Sequence, residues 1–119
     1  MTPFGARLRD LRQARGMTMK AMAAAIGVSP AYLSALEHGK RGRPSWDLLQ
    51  RIIGHLNIIW DEAEELERLA GLSHPRVVVD TEGLGPKATE LANRLARSIG
   101  RLDEATLDRL LDILGKDRD

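Results

Sequence analysis

MKAMAAAIGVSPAYLSALE, residues 19–37, holds two helical patterns separated only by Gly27-Val28-Ser29, with Pro30 immediately after the break. Proline breaks a helix from inside, but at the first helical position its missing N–H costs nothing. With Thr18 and Ser29 as N-caps and Gly27 tolerating positive φ, the spacing predicts one helix from about Met19 to Ile26. A second runs from Pro30 to about His38, closed by Gly39. Two helices meeting at so tight a turn need a small residue where they touch, a flexible residue in the turn, and apolar residues facing the rest of the domain. Ala23 meets the first need and Gly27 the second, while Met22, Ile26, Val28, Leu33 and Leu36 meet the third. A plain αα-hairpin could share the pattern. So would a helix-turn-helix whose second helix enters the major groove of DNA.

The flanks complete a small all-α domain. Upstream, Pro3 suits the first turn of a helix carrying Phe4, Leu8 and Leu11, with Gly16 ending it. Downstream, Ser45 caps a fourth helix with apolar Leu48, Leu49, Ile52, Ile53 and Leu56. A fifth runs from about Trp60 to Ala70, stops at Gly71 and has a strongly acidic outer face. Residues 73–86 read as a linker, with His74-Pro75, two glycines and one brief strand at Val77–Val79. Pro86 then opens a helix carrying Leu91, Leu95 and Ile99. Asp103 caps a last one carrying Leu107, Leu110, Leu111 and Leu114, ended by Gly115. The expected division is a DNA-binding domain over 1–72, a linker over 73–86 and a helical dimerisation segment over 87–119. The two C-terminal helices alone bury too little, so these seven side chains need another surface, and a second copy is the expected one. The chain's own N-terminal domain is the alternative.

Charge divides along the same line. Residues 1–59 hold nine Lys/Arg against three acids, a balance of +6, residues 60–72 balance at −4 and residues 73–119 at −1. A basic N-terminal half suits a polyanionic partner, although a solvated basic face has the same composition. Cysteine is absent, which rules out disulfides, thiolate metal sites and thiol nucleophiles. His38, His55 and His74 lack metal-ligand spacing, and no HExxH, GxSxG or phosphate-binding glycine loop occurs. Neither an enzyme nor a bound cofactor or metal is expected. No run approaches the roughly 20 apolar residues of a membrane span and no signal peptide is visible. A cytoplasmic protein, on the nucleoid when DNA-bound, is therefore expected.

Met17–Lys40 with its neighbouring helices, and GVSPAYLSALEHGKRGRPSWDLLQRI within it, resembles the Cro/C1-type (Xre) helix-turn-helix domain of phage repressors and many bacterial regulators. The resemblance covers residues 1 to about 72. It implies a five-helix, lambda-repressor-like fold, double-stranded DNA as partner and repression at a palindromic operator bound by a homodimer. It also implies an internal ion pair between Arg12 and Glu37.

In that geometry the start of the second helix faces base edges, which nominates Ser29, Pro30, Ala31, Tyr32 and Ala35. Among these only Ser29 and Tyr32 can hydrogen-bond. Long amide or basic side chains are common in the family where this chain has Pro30, Ala31 and Ala35, so direct readout is expected to be sparse, with shape and phosphate contacts adding specificity. Tyr32 has packing against the neighbouring helix as its alternative role. Phosphate contacts fall to Thr18, Lys20, Ser34, Lys40, Arg41, Arg43 and Ser45, with backbone N–H groups near Ser45 and Trp46. Arg9 and Arg15 are weaker phosphate candidates, since surface arginines on the first helix are more often merely solvated. A competing function is an antitoxin or protein-binding adaptor on the same scaffold, and a protein co-regulator or antirepressor is a further partner class.

Overall fold

The computed structural model describes residues 1–115; the last four residues of the expected C-terminal segment, 116–119, lie outside the described residues. The described chain is all-helical: α1 (Pro3–Ala14), α2 (Met19–Ile26), α3 (Pro30–Glu37), α4 (Trp46–His55), α5 (Trp60–Gly71), α6 (Pro86–Ser98), a 3-10 turn (Ile99–Arg101) and α7 (Glu104–Gly115). It forms two compact units, Met1–Val77 and the residues from Val78 onward.

Local chemistry sets the ends of the first helices. Thr2, Thr18, Ser29 and Ser45 each accept a backbone N–H with the side-chain oxygen, from Gly5, Ala21, Tyr32 and Leu48 respectively. Gly27 stands at φ +78. There the N–H groups of Gly27 and Val28 return to the carbonyls of Ala24 and Ala23, a Schellman closure. Gly39, at φ +80, closes α3 the same way, with Lys40 N–H bonded to the Ala35 carbonyl at 2.9 Å. α5 starts without a side-chain cap, on Trp60 at φ +49, and runs through Gly71 rather than stopping before it. Gly71 has ordinary helical neighbours and Leu72 takes the cap position.

The core of this unit is Phe4, Leu8 and Leu11 of α1, Met22, Ala23 and Ile26 of α2, Leu33 and Leu36 of α3, Leu48, Leu49 and Ile52 of α4, and Leu66 and Ala70 of α5, joined by Leu56 and Ile58. Val28, Tyr32 and Ile53 pack partly buried against it. Gly5 lets α1 cross α3 closely: a Cβ there would stand 2.5 Å from the Leu36 carbonyl oxygen and 2.7 Å from that of Glu37. Ser73 belongs to this unit and not to a linker. Its buried Oγ accepts from Phe4 N–H at 2.9 Å and donates to the Leu69 carbonyl at 2.6 Å, tying the end of α5 to the start of α1.

The expected strand at Val77–Val79 does not form. No strand occurs among the described residues, and all three valines are exposed, Val78 by 93%. Three β-branched residues without a neighbouring edge have nothing to pair with. In the second unit, Thr81 Oγ1 accepts from the Thr89 hydroxyl at 2.9 Å, and Asp103 caps α7 by accepting from Thr106 N–H at 2.8 Å. No described residue from Val78 onward is buried, although Leu95, Leu107 and Leu110 are half-buried.

Candidate nucleic-acid interface

α2 and α3 are bent by 104° at the Gly27–Ser29 break, within the range of a helix-turn-helix. Together they are apolar and long enough to resemble a broken membrane span, but their large apolar side chains Met22, Ile26, Leu33 and Leu36 are fully buried in the core. No single helix among the described residues is long and apolar enough to cross a membrane.

The bend presents one face. Ser29, Pro30 and Ala31 at the start of α3 are exposed, while Tyr32, Ser34 and Ala35 are half-buried. Lys20 and Thr18 at the start of α2, Lys40, Arg41 and Arg43 in the loop after α3, and Ser45 and Trp46 at the start of α4 are all exposed. Small side chains leave α3 hollowed on its outer side: a groove of about 420 Å³ is lined by Ala31, Ser34, Ala35, His38 and Lys40. A second hollow of about 360 Å³, lined by Val28, Ser29, Tyr32, Ser45, Leu48 and Arg51, joins the starts of α3 and α4.

Three of the nominated hydroxyls already work as caps. Thr18, Ser29 and Ser45 use an oxygen lone pair on their own helix and keep the O–H proton for an acceptor such as a phosphate oxygen. Ser34 Oγ lies 3.4 Å from His38 Nδ1, which also approaches the Ser34 carbonyl at 2.8 Å. Tyr32 takes the packing role. Its ring packs against the core while the Arg41 guanidinium sits over it, 5.7 Å from the centroid. A cation held on an aromatic face is orientated before any ligand arrives.

Behind this face lies the ion pair of Arg12 and Glu37. Arg12 donates from Nε to Oε2 at 2.8 Å and from Nη2 to Oε1 at 3.2 Å, and its Nη1 donates to the Met17 carbonyl at 3.0 Å. Glu37 is 1% exposed and Arg12 15%. The hydrogen-bonded carboxylate raises the Arg12 pKa above its ordinary value, with burial opposing. The pair joins α1 and the α1–α2 loop to the end of α3, and so holds the recognition helix in place.

Two arginines have roles that sequence reading missed. Arg51 Nη1 donates to the carbonyl of Ile26, the last residue of α2, at 3.0 Å. Arg15, read as a weaker phosphate candidate, donates from Nη2 to the Leu56 carbonyl at 2.9 Å and satisfies the end of α4. Neither partner is near in sequence, so no local pattern signals them.

A family model described as a helix-turn-helix domain matches residues 3–66, from α1 into α5. The chain belongs to the helix-turn-helix domain family. The resemblance to Xre-type regulators holds over the first unit. An uncharacterized HTH-type transcriptional regulator, RghRB of Bacillus subtilis (strain 168), is 38% identical over 61 residues, 51% of this chain and 44% of that protein. The HTH-type transcriptional repressor RghR of the same organism is also 38% identical over 61 residues, 51% of this chain and 45% of the relative. The HTH-type transcriptional regulator DdrOP3 of Deinococcus deserti is 50% identical over 46 residues, 39% of this chain and 35% of the relative. The match thus spans less than half the length of each of these relatives. A solved SinR protein/SinI protein complex overlaps 94% of this chain at a TM-score of 0.47 and 20% identity, too distant a likeness to carry an argument.

Proposed function

We propose that this helix-turn-helix protein is a transcriptional regulator that binds double-stranded DNA and represses by occupying a palindromic operator as a homodimer. The observation that carries this reading is the helix-turn-helix itself: α3 is set at 104° to α2 with Ser29, Pro30 and Ala31 exposed at its start, and Lys20, Lys40, Arg41 and Arg43 are exposed as well. Ser29, Pro30, Ala31 and Tyr32 meet base edges, the two small apolar residues suiting thymine methyl groups. Lys20, Lys40, Arg41, Arg43 and the capping hydroxyls of Thr18 and Ser45 hold phosphates, joined by Ser34. With so few hydrogen-bonding side chains on α3, one half-site discriminates weakly. A two-fold dimer reading two half-sites roughly 34 Å apart multiplies that discrimination. The names of the relatives, two regulators and one repressor, support the same reading.

Selection of bound fragments from genomic DNA by the purified full chain, followed by titration across salt, tests it. A recovered inverted repeat with a steep salt slope is expected. No duplex binding by the protein alone would refute it in favour of an adaptor, a reading supported by the uncovered apolar side chains of the second unit.

A further inference from the structure

In the second unit each helix has an apolar stripe with a row of like charge along one edge. On α6 the stripe is Leu91, Leu95 and Ile99, with Leu91 61% and Ile99 54% exposed. At 3.6 residues per turn, and viewed from the helix N-terminus, Lys87 and Arg94 lie roughly 80–100° anticlockwise of that stripe. Glu90 and Arg97 lie farther round on this side and Arg101 follows in the 3-10 turn, while the other edge carries uncharged Thr89 and Ala96. On α7 the stripe is Leu107, Leu110, Leu111 and Leu114, and Leu111 and Leu114 are exposed. Glu104, Asp108 and Asp112 follow at i, i+4 and i+8, roughly 70–150° clockwise of it, and the other side holds Thr106 and Ile113, with Arg109 farther round, roughly 150° from the stripe.

These opposite hands decide how the stripes can meet. Packed face to face and antiparallel, the two helices would put the basic and acidic rows on opposite edges of the interface. Packed parallel, they put both rows on the same edge, where they attract. One chain cannot make the parallel arrangement with itself. α6 has 13 residues and is about 20 Å long, whereas Leu102 and Asp103, the two residues between the 3-10 turn and α7, span at most about 7 Å. Arg94 is bonded to Glu90 of its own helix at 2.7 Å, but the pair is exposed, and the guanidinium has further N–H donors for a second carboxylate.

We propose that α6 of one copy packs in parallel against α7 of a second copy, its basic residues Lys87 and Arg94 along the partner's acidic row. The inference rests on the homodimer reading above and names its contact surface. By two-fold symmetry the pairing occurs twice, so the four helices close an interface with both apolar stripes inside.

Charge reversal in the full chain tests it, read by light scattering and analytical ultracentrifugation. Lys87→Glu with Arg94→Glu should weaken dimerisation about tenfold or more, as should Glu104→Arg with Asp108→Arg in a separate protein, since like charges then line the shared edge. Mixing the two proteins should restore a dimer containing one of each. A wild-type protein that is monomeric at micromolar concentration overturns the dimer reading itself. A wild-type dimer whose reversed forms still self-associate, or do not pair with one another, overturns only the α6–α7 pairing. Because the chain has no cysteine, single replacements give a second measurement independent of the charge variants' folding. A Lys87→Cys copy should crosslink to a Glu104→Cys copy, whereas preferential crosslinking of a Ser98→Cys copy to the Glu104→Cys copy would show antiparallel packing and refute the proposal.

Discussion

Arg51, in the middle of α4, holds the turn that aims the recognition helix: its guanidinium donates to the Ile26 carbonyl at 3.0 Å and lies against Gly27, where a Cβ would come within 2.7 Å of Nη1. Glycine at position 27 is therefore required by its φ of +78, while the arginine tip resting on it belongs to a flexible side chain that can shift. Gly27→Ala is expected to destabilise the fold by about 1–2 kcal/mol from the left-handed backbone alone, with an added cost for displacing Arg51. Arg51→Ala should lose about 1 kcal/mol, one net hydrogen bond. In urea melts the double variant should lose less than the sum of the two, since the alanine methyl no longer meets a guanidinium. Strict additivity would show that Arg51 does not press on the turn.

Arg12 and Glu37 should show the strongest coupling. Either alanine replacement leaves a poorly solvated charge behind and is expected to cost about 3–5 kcal/mol, while the double variant recovers part of that loss. A thermodynamic cycle from urea melts measures the coupling, and additive losses would contradict the bidentate geometry.

On the proposed DNA-binding reading, Tyr32 and Arg41 contribute together. Arg41→Ala and Arg43→Ala should each flatten the salt dependence of binding by about one phosphate, on specific and random DNA alike. Tyr32→Phe keeps the ring beneath Arg41 and should keep that slope while reducing discrimination only if the hydroxyl reads a base. Tyr32→Ala removes the platform and should lower both. Equal binding curves for Tyr32→Phe and wild type would assign the residue to stacking alone.

The buried hydroxyl of Ser73 marks where the first unit can be cut. A fragment ending at Val77 should melt as a folded domain, whereas one ending at Leu72 loses the acceptor of Phe4 N–H and should be less stable by about 1–3 kcal/mol. Ser73→Ala in the full chain should reproduce most of that loss. Thermal melts of the three proteins compare them directly. The Val77 fragment should also be monomeric if dimerisation resides in α6 and α7.

Asp103 gives α7 a pH dependence. The Thr106 hydroxyl and then its backbone N–H hold the carboxylate below the ordinary 3.8, against a small opposing effect of burial. Because the folded value is depressed, the capping contribution is present above the unfolded pKa and is lost as pH falls through the folded one. An NMR titration of the Asp103 carboxyl carbon should give a midpoint below 3.8. A midpoint at or above that value would mean the cap is not formed in solution.

What was legible in the sequence was local. Thr18, Ser29 and Ser45 cap, Pro30 begins a helix and Gly27 ends one through contacts within about four residues, so their order along the chain already states the result. The stripes of Phe4, Leu8 and Leu11, or of Met22, Ile26, Leu33 and Leu36, work the same way: periodicity alone says which face turns inward, and all seven are buried. Brief β-branched runs are less informative. Val77–Val79 needed a neighbouring strand that the chain does not supply.

Tertiary structure decided every contact between residues distant in sequence. Arg51 and Arg15 look like any surface arginine until α4 is placed against the ends of α2 and α1. There their reach meets carbonyls that the helices leave unsatisfied. Gly5 reads as a poor helix residue until α3 crosses it, and Ser73 reads as linker until α5 brings its hydroxyl to the first turn of α1. Hydrogen bonds of this kind depend on distance in space, which side-chain chemistry constrains but does not specify. The chain alone therefore determined its helices and their inward faces, while packing determined which polar groups lock the recognition helix in place.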